Sequence, residues 1–346
     1  MTWTFVNTHI DRFGSLQYWT APHEGVYKIT AKGAGGAGNS GGRGAIVTAW
    51  FWLDAGAEIE ILVGQRELSS ISGNGGMTGG GGGSFVCQIN PQGLDDLLLA
   101  AGGGAGAGYW GDVSDAPFAS MHGSTSPTGD ANPPTNAGGA SGQFGVGGAN
   151  GREGRGGGGG GFLSSGGSGQ GYLQGGAGGD GFGGGAIRGP GGFGGGGSGW
   201  SSTGGGGGFS GGGGGDRSSI NAAGPTSNEV IHFGGGGGSY IQGYSRPQWS
   251  ESATFTVASS LGHGLVEIQA HDAVVGSRAI NLHGDTRIVL FDWQSPAKHY
   301  VATVDADGYW RAPVIPGTQY GIYYLSNDYR GQPRIEGPYL SDEAPT

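Results

Sequence analysis

Glycine occupies 88 of the 346 positions of this chain, gathered into unbroken runs such as 156–161, 204–208, 211–215 and 234–238. Glycine loses more backbone freedom on ordering than any other residue. Such runs therefore either stay slack as linkers or order by a route closed to residues with side chains. The residues between them decide. Phe144, Phe162, Tyr172, Phe182, Phe193, Trp200, Phe209 and Tyr240 stand there, and a tether has no use for so many large apolar groups.

A register inside the Gly-rich stretch narrows the choice. From Gly139 every third residue is Gly through Gly157, while Ala140, Gln143, Val146, Ala149, Arg152 and Arg155 share a second register. Residues 33–44 repeat the pattern with Ala34, Ala37, Ser40 and Arg43, and Ala177, Asp180 and Ala186 do so around 175–185. Period three belongs to the left-handed polyproline-II helix. Collagen shares it but needs imino acids, and 139–157 contains no Pro. The remaining ordered solution is a bundle of such rods. A rod enclosed on all sides must be Gly in every register, so unbroken runs form the centre; about five or six residues span roughly 15–19 Å. Ordering each Gly costs about 1–2 kcal/mol, which interhelix hydrogen bonds must offset together with aromatic caps worth roughly 1.5–3 kcal/mol each when enclosed.

A net charge of -10, a pI near 5.1 and only 16 Lys plus Arg argue against nucleic acid or an anionic membrane as partner. The Arg-Gly fragments at 42–44 and 151–156 are too few for RNA binding of the RGG type. Cys87 is the sole cysteine, so there is neither an intrachain disulfide nor a Cys-based metal site; Phe85, Val86 and Ile89 beside it predict a buried thiol. No signal peptide is visible after Met1, and no stretch approaches the roughly 20 apolar residues of a membrane span. A chain made in a cytoplasm, which stays there or leaves within an assembly, is expected.

Catalytic and cofactor chemistry finds no foothold. The eight His show no metal spacing, and Asp305 and Asp307 before Gly308 fall short of a calcium loop and read as a turn. Asp95 and Asp96 read as solvated loop charge. Gly-x-Gly-x-x-Gly matches are unavoidable at this composition, and GKS or GKT is absent. The expectation is a non-enzyme with no catalytic residue, metal or cofactor.

Outside the Gly tracts the pattern is β, with strands expected at 25–31, 45–53, 58–63, 85–89, 97–100, 238–242, 253–257 and 265–269, and no capped helical period. After Ala270 the Gly content falls, and five further strands are expected at 278–282, 286–291, 300–304, 309–312 and 320–325. This divides the chain into 1–271, a sandwich or jelly roll interrupted by Gly tracts, and 272–346, a small β-sandwich.

The ordered landmarks from Tyr27 to Gly36, Ile61-Leu62-Val63-Gly64-Gln65, Gly79 to Val86, Leu98 to Gly104, Gly191-Gly192-Phe193, Ser198-Gly199-Trp200 and Gly262-His263-Gly264-Leu265-Val266-Glu267-Ile268 resemble the glycine-rich domain of the anaplastic lymphoma kinase and leukocyte tyrosine kinase receptors. The resemblance covers roughly 20–270. It implies a tumour-necrosis-factor-like jelly roll carrying an inserted polyglycine-II helix bundle; the receptors' cysteines, membrane span and kinase have no counterpart here, so receptor signalling does not carry over. Such bundles also look like the adhesins at bacteriophage tail-fibre tips, whose inter-run loops touch the host. Here 109–136, 162–174 and 216–233 would be those loops. The segment Val301 to Trp310 followed by Pro316 to Tyr320 resembles the transthyretin-like, carboxypeptidase-regulatory-like β-sandwich, a non-catalytic accessory module.

Together these give an all-β expectation, a jelly roll with an inserted polyglycine-II bundle followed by a small β-sandwich. The resemblance further implies a virion protein of the tail, assembled in the host cytoplasm as a homotrimer, whose partners are a host cell-surface receptor, protein or glycan, and other tail proteins. The rival is a decoration protein of capsid or tail. Most aromatics between the runs should cap the bundle. Tyr109, Trp110, Tyr172 and Trp200, flanked by Gly and Ser that leave little local core, are the candidate binding anchors, because exposed Trp and Tyr dominate interface hot spots.

Overall fold

The computed structural model describes residues 1–7, 12–23, 25–67, 78–91, 95–107, 119–131, 140–151, 155–180, 189–200, 202–218, 230–242, 253–270, 274–278, 287–293, 299–302, 309–313, 319–325 and 334–340. Among them the chain forms antiparallel sheets with almost no helix, the exceptions including single 3-10 turns at Ala119–Met121 and Tyr172–Gln174. The chain is all-β, as its strand patterning predicts.

Two five-stranded sheets carry the first part of the chain. One has the order β1 (Thr2–Phe5), β12 (Leu265–Ala270), β3 (Gly25–Lys32), β4 (Ala45–Leu53), β11 (Thr254–Val257). The other has β10 (Tyr240–Ile241), β7 (Asp96–Ala101), β6 (Ser84–Gln88), β5 (Glu58–Leu62), β2 (Gln17–Thr20). Alternation on β3 sends Tyr27, Ile29 and Ala31 inward and leaves Lys28, Thr30 and Lys32 facing outward. The inward set meets Val47, Ile59, Ile61, Val86, Leu99 and Ile268 in one core shared by both sheets. The short edge strands β1 and β2, with four residues each, carry too little alternation to announce themselves in the sequence.

The second sheet is covered on both faces. Ile61 and Val86 point into the shared core, whereas Leu62, Phe85, Cys87, Leu97 and Ala100 join Phe162, Tyr172 and Phe193 on the opposite side. The pairing skips Leu98, a bulge that lets both Leu98 and Leu99 reach the inner core. That double burial explains the continuous apolar run Leu97 to Ala101.

Beyond β12, β13 (Val274–Arg278) pairs with β16 (Tyr309–Pro313), and a four-stranded sheet has the order β15 (His299–Ala302), β14 (Arg287–Asp292), β17 (Gln319–Leu325), β18 (Arg334–Leu340). Four of the five strands expected here are present. The fifth, at 278–282, lies outside the described residues except for Arg278, which ends β13, and Asp305 and Asp307 also lie outside them. The smallest pair, β8 (Asp216–Ser218) with β9 (Val230–His232), was not legible in the sequence.

The Gly segments leave the strand ends and bond to one another. Segment 204–208 shows the rule: the N–H groups of Gly204 and Gly207 donate to the carbonyls of Thr78 and Gly81, those of Gly205 and Gly208 to Gly157 and Gly160, and that of Gly206 to Gly235. Its carbonyls accept from Gly106 and Gly103, from Gly197 and from Gly212. Partners therefore repeat every third residue, and six segments surround the seventh. An added Cβ at any of 204–208 would stand 2.0–2.4 Å from a neighbour's carbonyl oxygen. Here only hydrogen fits between backbones.

The period-three stretches depart from the expectation of single rods. Residues 33–44 turn back at Gly38, with φ +80, so that the Gly36 N–H donates to the Gly42 carbonyl. The stretch from 139 turns back at Phe144 and Gly145, with φ 51 and 85, and the Ala149 N–H donates to the Ala140 carbonyl. Folding back pairs each short segment with its own continuation, which satisfies backbone groups that one long rod would leave in solvent.

Candidate binding surface on the glycine segments

The strands fix which end of the lattice is which. β6 begins directly after 78–83, β7 ends directly before 102–107 and β3 directly before 33–37, so Gly83 and Gly102 sit at the sandwich. Thr78, which bonds to Gly204, marks the far end.

Rings at the sandwich end are caps. Phe162, Tyr172 and Phe193 are buried against Leu62 and Phe85; Tyr172 stacks on Phe162 at 5.2 Å between centroids and meets Phe85 at 5.1 Å. Phe209 stacks on Tyr240 at 4.4 Å. Tyr172, expected among the exposed anchors, is only 6% exposed, and its hydroxyl donates to Glu60 Oε1. Its Gly neighbours leave it no local core, but the outer face of the second sheet supplies a distant one. Tyr172 is a packing residue and unavailable to a partner.

Trp200 keeps its expected exposure. It is 44% exposed where 191–199 ends, at the far end of the lattice, its backbone N–H donating to the Ser202 carbonyl. Tyr109 and Trp110 lie outside the described residues, as do 132–136 and 219–229 of the expected loops.

An exposed apolar surface lies beside the caps; Leu163 and Leu173 fall in the expected contact loop 162–174, whereas Phe144 and Val146 fall in none of the expected loops and were missed. Phe144 is 82% exposed, with Val146 at 48%, Leu163 at 46% and Leu173 at 39%. Their turns are tied together: the Leu163 N–H donates to the Gly145 carbonyl, the Leu173 N–H to the Phe162 carbonyl, and Gln174 Nε2 to the Leu163 carbonyl. The Gly145 N–H donates to the buried Ser210 hydroxyl, which anchors the Phe144 turn to the lattice. A φ of 51 at Phe144 is the one positive value at a described non-Gly residue, a conformation that persists only where the surroundings impose it. Its available signal was the register: Phe144 occupies the series otherwise held by Ser141, Gly147 and Asn150.

This surface carries no charge, since 140–151 and 156–179 contain no Asp, Glu, Lys, Arg or His. Four fixed apolar side chains rimmed by Ser and Gln can make contact and exclude water; they cannot transfer protons. Nor does the cap offer chemistry. Burial pushes the Cys87 thiol far up, and burial together with Cys87 and Glu60 does the same for the Tyr172 hydroxyl, so neither is a nucleophile at neutral pH. Among the described residues no group of three or more His, Cys, Asp or Glu could hold a metal ion, and no helix is long and apolar enough to cross a membrane.

No protein-family model matches the chain, and no curated protein matches it at a significant level.

Proposed function

We propose that the chain is a non-catalytic receptor-binding adhesin of a bacteriophage tail, in which the glycine lattice is a rigid platform and its turns make the contact. The observation that carries this reading is the uncharged surface of Phe144, Val146, Leu163 and Leu173, held by backbone bonds to buried Gly segments. Large apolar groups fixed on a stiff scaffold lose little entropy on binding, and an apolar patch rimmed by polar residues marks interaction sites.

The finer architecture belongs to the same proposal. Period-three bonding and sixfold surroundings support polyglycine-II helices for the Gly segments. Two five-stranded sheets on one core support a jelly-roll relative, although the hairpin β3–β4 and the meander β5–β6–β7 keep successive strands in one sheet and depart from two Greek keys. We place the domain boundary at 271/272, with the second unit docking onto other tail proteins and the whole acting as a homotrimer in the virion.

Purified protein should bind receptor-bearing cells and block infection, and should not bind resistant cells lacking the receptor. Phe144→Gly separates contact from folding, because it removes the ring and also relieves the left-handed backbone. Binding should fall by about ten-fold or more while stability rises by about 1 kcal/mol. Absence of cell binding and of any block would contradict the adhesin and favour a decoration protein.

A further inference from the structure

The reversed segment 33–44 forms one wall of the lattice: the Ala34 N–H donates to the Gly82 carbonyl, the Gly42 N–H to Ala105, and the Gly104 N–H to Ala34. The loop 261–264, which leads into β12, lies against this wall. Two backbone bonds of 2.8 Å tie it down, from the Gly35 N–H to the Gly262 carbonyl and from the Gly264 N–H to the Gly64 carbonyl. Between them His263 makes a third, its Nδ1 accepting the Arg66 N–H at 3.2 Å. Arg66 then reaches back to the same wall. Its Nε donates to the Gly36 carbonyl at 3.0 Å and its Nη2 to the Gly38 carbonyl at 2.7 Å, at the reversal itself. One imidazole thus fixes the residue whose guanidinium holds the turn.

We propose that His263 is an acid-sensitive clasp on this wall: its neutral ring holds the turn at Gly38 against the lattice, and protonation releases that turn while the enclosed Gly segments stay bonded. A backbone N–H can only donate, so Nδ1 presents its lone pair to Arg66 and the ring proton sits on Nε2. The imidazolium carries a hydrogen on both nitrogens. A proton taken from solvent at Nδ1 therefore sets two donors against each other across 3.2 Å, and the half-buried ring lies within reach of solvent. As the ring withdraws, Arg66 loses its anchor and the loop shifts, which loosens the bonds to Gly35, Gly36 and Gly38 together. Segment 204–208 has no such weakness, because its bonds run from backbone to backbone.

The surrounding charges agree with this geometry. Among the described residues, Arg66 and Glu67 face the ring from the stretch after β5, and Lys32 faces it from the end of β3. Burial holds the imidazole below its ordinary value of 6.5, and the Arg66 and Lys32 cations push the same way against the opposite pull of Glu67. A depressed value in the folded chain means that the unfolded or released ring takes up the proton first. The clasp is therefore at full strength above about pH 6.5 and weakens as the pH falls below it. The inference stands whether or not the Phe144 surface binds a receptor.

The test is amide hydrogen exchange of the full chain, read as protection factors at about pH 7.5 and about pH 5. Protection of the Gly35 and Arg66 amides is expected to fall by about ten-fold or more at the lower pH relative to 204–208, since a released ring that titrates near 6.5 favours opening there by up to roughly thirty-fold. His263→Asn puts an amide oxygen near the place of Nδ1 and does not titrate, so its Gly35 and Arg66 amides should keep their protection at both pH values. His122, whose Nδ1 takes the Arg43 N–H on the other limb of the wall, and Asp130 are the same in both chains and cancel in the comparison. A nitrogen NMR titration of the wild-type ring needs no variant: its midpoint should lie below 6.5 and coincide with the loss of protection. Equal protection at both pH values, the same loss in a folded His263→Asn, or a ring midpoint at or above 6.5 would overturn the proposal.

Discussion

At the scale of single residues the fold depends on a missing atom. A Cβ at Gly206 would stand 2.1 Å from the Gly103 carbonyl oxygen, whereas at Gly56, with φ +83, it would meet nothing within 4 Å. Two Gly→Ala changes should therefore part company in denaturant titrations: Gly206→Ala loses about 3 kcal/mol or more through overpacking, and Gly56→Ala about 1 kcal/mol through backbone strain alone. Similar losses for both would show that the lattice has room to give. Asp130 makes a second prediction at this scale. Its backbone sits in the lattice, its N–H donating to the Gly236 carbonyl, and burial pushes its carboxyl up to about 6. The folded chain thus holds this proton more tightly than the unfolded chain, whose carboxyl titrates near 3.9. Stability from this group is full below about pH 4 and is lost as pH rises through about 6, by at most about 2 kcal/mol once partial solvent screening is allowed for. Comparing wild type with Asp130→Asn from pH 4 to 7 isolates the effect; parallel profiles would refute it.

At the scale of elements the seam between sheet and lattice is the critical join. Phe162, Tyr172 and Phe193 cover the outer face of the second sheet, so Tyr172→Ala opens a cavity under the lattice and should cost about 3–5 kcal/mol, while Tyr172→Phe keeps the stack and should lose much less. Equal losses in thermal melts would shift the weight from packing to the hydroxyl's bond with Glu60. This seam also marks where the sequence stops being legible. Strands such as β3, β4 and β12 follow from alternation that any reader of the chain can see, and the buried Cys87 follows from its neighbours. Tyr172 does not, because the residues that bury it, Leu62 and Phe85, are a hundred positions or so away and nothing local names them. Phe144 is absent from the expected anchors for the opposite reason: it resembles the capping aromatics in type and spacing, and only the turn in the backbone turns it outward.

At the scale of the whole molecule a quarter of the residues are Gly, yet the described residues hold three apolar clusters and a buried backbone lattice, and the two larger clusters lie on opposite faces of one sheet. The period-three register and the aromatic spacing foretold ordered Gly segments. They did not foretell the reversals at Gly38 and Phe144, since a register shows how a segment can pack but not where it folds back. The contact surface and its rigidity both depend on the lattice being ordered in solution. Amide hydrogen exchange of 204–208 measures this most directly, because every N–H there donates to a neighbouring segment. Protection should match that of the β3 and β6 amides and be lost only with global unfolding. Exchange at the rate of an unstructured peptide would contradict the lattice and with it the platform.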